Sequence, residues 1–413
     1  MIHFEKFKLE NGLTVIVHTD NSTPFAAFNI LYNVGSKHEN PNKTGFAHLF
    51  EHLMFSGSEH IKNFDTPLQL VGGENNAFTN YDITNYYITL PGQNIETAFW
   101  LESDRMFGLN INEKSLATQK SVVIEEFKQN FLNKPYGDAW MQLRDLAYTK
   151  HSYKWCTIGK DIEHIEKATL EDVKNFYKKH YAPNNAILCV TGNVDLNNIK
   201  ELCDKWFKDI PALELEKVKI EPEPKQTSYR ELTLEKDVPF DSIYMAFHMC
   251  KRTDDKYQTY DLISDILSNG DSSRLFQRLV KDQNLFQNID AYITGDFDNG
   301  LFIITGKLLK EVNIKDAEAA IYKELNDIST ICIDEYELNK VKNKIESNLV
   351  FSEIGYLNKA INLCLYEALD SAELINTEIE KYRKITAEDI LSTSKQVFNK
   401  NNCSTIFYLS KNN

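Results

Sequence analysis

The pentapeptide His48-Leu49-Phe50-Glu51-His52 brings two imidazoles and a carboxylate together at a spacing that can do chemistry. On a helix, residues four apart lie on one face about one turn from each other, so both rings can reach a single cation. Zinc suits such a pair, because it takes nitrogen and oxygen ligands in a compact tetrahedron. Glu51 would then lie beside the metal, where its carboxylate can take a proton from a water molecule. By composition alone about 0.02 such matches are expected in this chain, so the motif is specific without being decisive. The plainer account is two half-exposed histidines making ordinary helix contacts.

A catalytic zinc needs a third protein ligand and an open position. The segment Gln119-Lys120-Ser121-Val122-Val123-Ile124-Glu125-Glu126-Phe127 reads as a helix with Val122, Val123 and Phe127 in the core. It offers two glutamates, Glu125 and Glu126, which point about 100 degrees apart. A solvated helix face is the usual place for either.

The elements that must hold these groups follow from periodicity. Strands are expected at 13–18, 25–34, 83–90 and 186–191, and helices at 44–55, 95–107, 113–132, 138–148 and 170–180. Thr44 is the expected N-cap of the histidine helix. Phe46, Leu49, Phe50, Leu53 and Met54 are its apolar contacts. Residues 213–228 are charged and proline-bearing without apolar periodicity, which is linker composition. The second half repeats the order of the first, with strands at 229–234, 242–249, 289–294, 301–307 and 404–409 and a helix at 257–267. The predicted fold is therefore α+β. It has two related domains of mixed or antiparallel sheet packed with helices, 1–212 and 229–413. The 257–267 helix contains no histidine, so only the first domain can hold this metal.

Composition excludes other classes. The chain of 413 residues is long for one core and suits two. A net charge of −14 argues against nucleic acid, which needs a concentrated basic face. An acidic surface could favour basic peptides, although solubility is the simpler account. No apolar run approaches the roughly 20 residues that span a bilayer. The first residues lack a signal-peptide pattern, and a cytoplasmic location is the expectation. The seven cysteines form no Cys-x-x-Cys pair and read as reduced core thiols.

Taken together, these motifs resemble the M16 metallopeptidases, the family of pitrilysin, insulin-degrading enzyme and the mitochondrial processing peptidase. In that family the third ligand is a glutamate downstream of the histidines, seven positions after an acidic or amide residue. Gln119 and Glu126 match that arrangement. The resemblance implies His48, His52 and Glu126 as ligands of one zinc ion and Glu51 as general base. Gln119 stands where better-known members have Glu, which makes it a group behind the ligands.

Gly72-Gly73-Glu74-Asn75-Asn76-Ala77-Phe78-Thr79 with Thr84-Asn85-Tyr86-Tyr87 is similar to the family's substrate-binding edge strand. The residues matching Asn76, Ala77 and Phe78 pair there with an extended peptide. A tight turn entering a plain edge strand would look the same. Ile158-Gly159, Phe176-Tyr177, Tyr181-Ala182-Pro183-Asn184-Asn185 and Ser272-Ser273-Arg274-Leu275-Phe276 also resemble the family, and helix packing explains them.

The resemblance further implies a zinc endopeptidase of unstructured peptides. It implies a clamshell completed by a homodimer or a related chain, and an oxyanion-stabilising Tyr and Arg from the second half or a partner. Tyr292 and Arg274 are candidates in pattern only. Two other readings stand beside this one, a non-catalytic subunit of such a complex and a small-molecule zinc amidohydrolase.

Overall fold

The computed structural model describes residues 1–215 and 218–411; Glu216 and Lys217 of the expected linker lie outside the described residues. The chain forms β1 (Glu5–Lys8), β2 (Thr14–Thr19), β3 (Phe25–Tyr32), β4 (Glu74–Thr79), β5 (Thr84–Pro91) and β6 (Ala186–Gly192). It continues with β7 (Arg230–Lys236), β8 (Ser242–His248), β9 (Phe286–Ile293), β10 (Leu301–Leu308) and β11 (Cys403–Ser410). The first sheet has the order β1-β2-β6-β3-β5-β4, the second β7-β11-β8-β10-β9. In each, the first strand of the shared pattern runs parallel to the last, β2 with β6 and β7 with β11, and the other pairs are antiparallel. Five strands of the first sheet thus repeat in the second in order and direction. β1, which periodicity did not reveal, extends the first sheet by pairing with β2.

Two compact units result, and they are not consecutive halves of the chain. The first comprises Met1–Phe127, Trp155–Ile220 and Val350–Thr377; the second comprises Lys128–Lys154, Glu221–Leu349 and Glu378–Asn413. The Ala139–Ala147 helix therefore belongs to the second unit, where it packs on β8 and β11, and the Tyr356–Leu369 helix belongs to the first, where it packs on β3 and β6. The proline-bearing stretch is built into the second unit from Glu221 onwards. The Glu223 carboxylate accepts the backbone N–H groups of Thr149, Lys150 and His151, and buried Gln226 donates to the Cys403 carbonyl at 2.7 Å.

The central strands are covered on both faces, which is why their sequences run apolar without alternation. In β3 every residue after Phe25 is buried, from Ala26 to Tyr32. Phe28 meets Phe99 edge-on at 4.9 Å and Phe207 at 6.3 Å. Cys364, on the Tyr356–Leu369 helix, donates to the Ile187 carbonyl of β6 at 3.5 Å. All seven cysteines are free, five of them buried. No helix among the described residues is long and apolar enough to cross a membrane.

One polar pair breaks the apolar run. Asn29 of β3 and Asn85 of β5, both fully buried, exchange side-chain hydrogen bonds of 2.9 and 2.7 Å. Two amides satisfying each other tolerate no slip of β5 against β3, and β5 in turn sets the position of β4. Asn29→Val should destabilise the first unit by about 1–3 kcal/mol, because Asn85 is left buried and unpaired. Adding Asn85→Val should recover part of that loss. Urea unfolding of the metal-free variants checks this; a double variant weaker than the sum of the singles would contradict it.

Candidate metal centre

The histidine motif lies on the Phe46–Leu53 helix, whose buried side is Phe46, Ala47, Leu49, Phe50 and Leu53. Phe50 stacks on Phe176 at 5.1 Å and on Tyr181 at 5.2 Å, and Phe46 meets Phe176 at 5.9 Å. The aromatic residues of the Leu170–His180 helix and its C-terminal end therefore fix which face of the short helix looks outward. The expected cap is not the one used. Thr44 spends its hydroxyl on His164, at 2.8 Å, and on the Lys160 N–H, at 2.8 Å. Gly45 takes the N-cap position in the left-handed region, φ +88°, where an added Cβ would lie 2.7 Å from the Ile158 carbonyl oxygen. The Glu39 carboxylate caps the helix by accepting the N–H groups of Gly45, at 2.9 Å, and Ala47, at 2.8 Å. Burial pushes the Glu39 carboxyl up to about 8, against the pull of these donors and of the Trp155 indole.

On the outward face three ligand-type atoms converge. His48 Nε2 and His52 Nε2 each lie 3.5 Å from Glu126 Oε2. One atom from each residue falls within 4.8 Å of the other two, and this is the one such cluster of three or more found among the described residues. The rings stand at 85° with centroids 4.9 Å apart. Zinc bonds of about 2.0–2.1 Å in a tetrahedron place neighbouring ligand atoms about 3.4 Å apart, so the spacing fits the ion. Burial, with His52 adding to it, pushes the His48 imidazole down to about 4. A neutral ring is the form that ligates a metal.

Glu126 comes from the Glu113–Phe127 helix and is half-buried, whereas Glu125 is exposed. Val123 and Phe127 fill the core as expected, but Val122 is 39 % exposed, because the helix turns it away from its neighbours. Gln119 does not reach the ligands; its side chain donates to Ser56 Oγ at 3.1 Å, tying this helix to the turn after the histidine helix. Lys120 binds the carbonyls of Glu166 and Ala168, a second tie.

Glu51 shares the histidine helix and is hydrogen-bonded by the hydroxyl and backbone N–H of Thr79. Burial raises its carboxyl above the ordinary value, and the Thr79 bonds oppose the rise. Thr79 ends β4, which pairs only with β5 and so forms one border of the first sheet. Asn76 on that strand is exposed, and Ala77 and Phe78 are half-buried. The structure therefore brings His48, His52, Glu126 and Glu51 together and sets the strand carrying Asn76, Ala77 and Phe78 next to them. In the second unit, Arg274 is held by both oxygens of Glu337, at 2.8 and 2.6 Å, and that ion pair accounts for it. Tyr292 lies on β9, at a border of the second sheet, and is 40 % exposed.

Two family profiles match the chain. Insulinase (Peptidase family M16) covers residues 14–151, which contain all four site residues, and Peptidase M16 inactive domain covers 167–345. The chain belongs to the M16 peptidase family. Among M16 relatives, the zinc protease PqqE of Helicobacter pylori is 27 % identical over 410 residues, 98 % of this chain and 92 % of that protein. A probable mitochondrial-processing peptidase subunit beta from Arabidopsis thaliana is 23 % identical, over 95 % of this chain and 75 % of its own length. A crystal structure of a protease from Helicobacter pylori superposes with a TM-score of 0.94 at 25 % identity, over 99 % of this chain and all of that one. Pitrilysin shares the fold at TM-score 0.79 and 16 % identity, over 99 % of this chain and 45 % of its own.

Glu126→Ala should weaken zinc binding at least about a hundredfold, beyond the range typical of groups that only orient ligands. Glu125→Ala should leave it within about twofold. Chelator competition on both variants tests the choice, and a reversed order would move the ligand to Glu125.

Proposed function

We propose that this chain is a zinc-dependent endopeptidase that cuts unstructured peptides, with His48, His52 and Glu126 holding one zinc ion and Glu51 as general base. The observation that carries the reading is the 3.5 Å approach of both histidine Nε2 atoms to Glu126 Oε2, with Glu51 on the same helix beside an edge strand. Relatives named zinc proteases support it. A zinc ion held there would polarise the scissile carbonyl and acidify a water molecule.

The protein's own groups supply the rest. The Glu51 carboxylate accepts the proton of the attacking water and delivers it to the leaving amine. The hydroxyl and N–H of Thr79 hold that carboxylate in place. The backbone of Asn76, Ala77 and Phe78 pairs with the substrate as an added strand, which gives affinity with little sequence reading. Phe78, half-buried, lines a subsite that favours an apolar side chain. The second half has no histidine in its 257–268 helix, in keeping with one zinc per chain. We further propose that two such chains, identical or related, enclose the substrate. A non-catalytic partner subunit is the competing reading, and retention of all four residues weighs against it.

Glu51→Gln should keep fold and zinc and lose about 100- to 10,000-fold in turnover. Near-normal cleavage by that variant would remove Glu51 from the mechanism, and an unaltered protein that binds zinc without cleaving any peptide would favour the subunit reading. Phe78→Ala should change which bonds of an unstructured peptide are cut, read by mass spectrometry of the products, without releasing zinc. An unchanged cleavage pattern would defeat the strand assignment.

A further inference from the structure

The histidine helix is only eight residues long, so its own hydrogen bonds define its axis weakly and outside groups must hold it. Glu39 does so at the N-terminal end. Its two carboxylate oxygens take the Gly45 and Ala47 N–H groups, the latter adjoining His48. The side chain is enclosed, with the residue 5 % exposed, and the buried Trp155 indole N–H donates to the same carboxylate at 3.2 Å.

That cap is continuous with the substrate strand. The Trp155 N–H is shared with the Ser36 carbonyl, at 3.1 Å. Ser36 and Lys37 donate their backbone N–H groups to the carbonyls of Asn80 and Tyr81, at 3.2 and 2.9 Å, in the turn that joins β4 to β5. The Lys37 ammonium pairs with the buried Asp82 carboxylate at 2.7 Å. Gly35 lies so close to this turn that a Cβ there would meet the Asn80 oxygen at 2.5 Å. At the other end of the helix Glu51 bonds Thr79, the residue before Asn80. The histidine helix and the β4–β5 hairpin are thus joined at both ends of the helix by polar contacts.

We propose that Glu39, clasped by Trp155, is a positioning residue that sets the spacing between the histidine helix and the substrate edge of β4. It acts through backbone N–H groups rather than through the ligands. The proposal rests on the zinc-peptidase reading above. A glutamine at this position keeps the shape but offers one acceptor, and its amide N–H₂ faces N–H donors. The helix start then loses at least one buried bond and can drift, and misplacement of reacting groups by about 1 Å costs on the order of a hundredfold.

The test uses Glu39→Gln and Trp155→Phe in the full chain. For Glu39→Gln the expected result is a fall in kcat of about 10- to 100-fold, with KM for an unstructured peptide within about threefold. Zinc affinity should weaken by about 10- to 100-fold, as for other groups that orient ligands. Amide exchange at Gly45 and Ala47 should rise. Trp155→Phe should move each quantity the same way by less, because the carboxylate keeps its two backbone donors. A merely structural role would lower the unfolding midpoint and leave kcat and zinc affinity of the folded fraction within about twofold of the unaltered protein. That outcome in Glu39→Gln overturns the proposal, and if that variant fails to fold, the same outcome in Trp155→Phe overturns it. Should the unaltered protein itself neither bind zinc nor cleave peptides, the peptidase reading fails first, a result visible without any variant.

Discussion

Two imidazole nitrogens each held 3.5 Å from the same carboxylate oxygen are a poor arrangement for a protein on its own. A half-buried carboxylate facing two imidazoles, that of His48 held neutral by burial, is under-compensated until a cation sits among them. Such a cluster persists only where the surrounding structure over-determines it. Here the helices bearing the three groups are each tied in more than one place. The histidine helix is pinned by stacked aromatics on its inner side and by Glu39 at its start. The Glu113–Phe127 helix is pinned by Lys120 and Gln119. Stability spent on holding the cluster open in this way is what a metal would return on binding.

Much of this was legible in the residues. The spacing of His48, Glu51 and His52 is a local fact of helix geometry, and it survived folding because Phe46, Leu49, Phe50 and Leu53 fill the opposite face. Helix geometry alone left Glu125 and Glu126 open; the choice of Glu126 came from the family resemblance, in which the ligand follows an acidic or amide residue by seven positions, as Glu126 follows Gln119. Most strands of both halves were readable because alternating or continuous apolar runs are also local; β1 and β4, short and largely exposed or half-buried, lack such a run. What was missed is non-local. Thr44 has the chemistry of an N-cap, but its hydroxyl is claimed by His164 and Lys160 more than a hundred positions away. Glu39 looks like one more surface glutamate, and nothing in its neighbourhood announces that it folds back onto Gly45 and Ala47. Val122 reads as core by type alone, and only the helix rotation turns it outward.

The units repeat a five-strand order, yet among the described residues only the first carries a cluster of side chains that could hold a metal ion. The shared pattern of one parallel pair and three antiparallel pairs is a packing solution that works with or without a site. The proposed function therefore rests on a few side chains of one copy, in keeping with the general independence of site and fold. In the second copy the corresponding helix, Tyr257–Ser268, is buried over most of its length and contributes to the core instead.

The two crossing helices have a consequence for how such a chain can be inherited. The Ala139–Ala147 helix is encoded in the first half and completes the second core; the Tyr356–Leu369 helix is encoded in the second half and completes the first. A gene cut near residue 220 would yield one polypeptide whose β3 and β6 face water on one side and another lacking the helix that covers β8 and β11. Neither piece would be a self-sufficient module for recombination to move alone, because each core takes a helix from the other half of the chain.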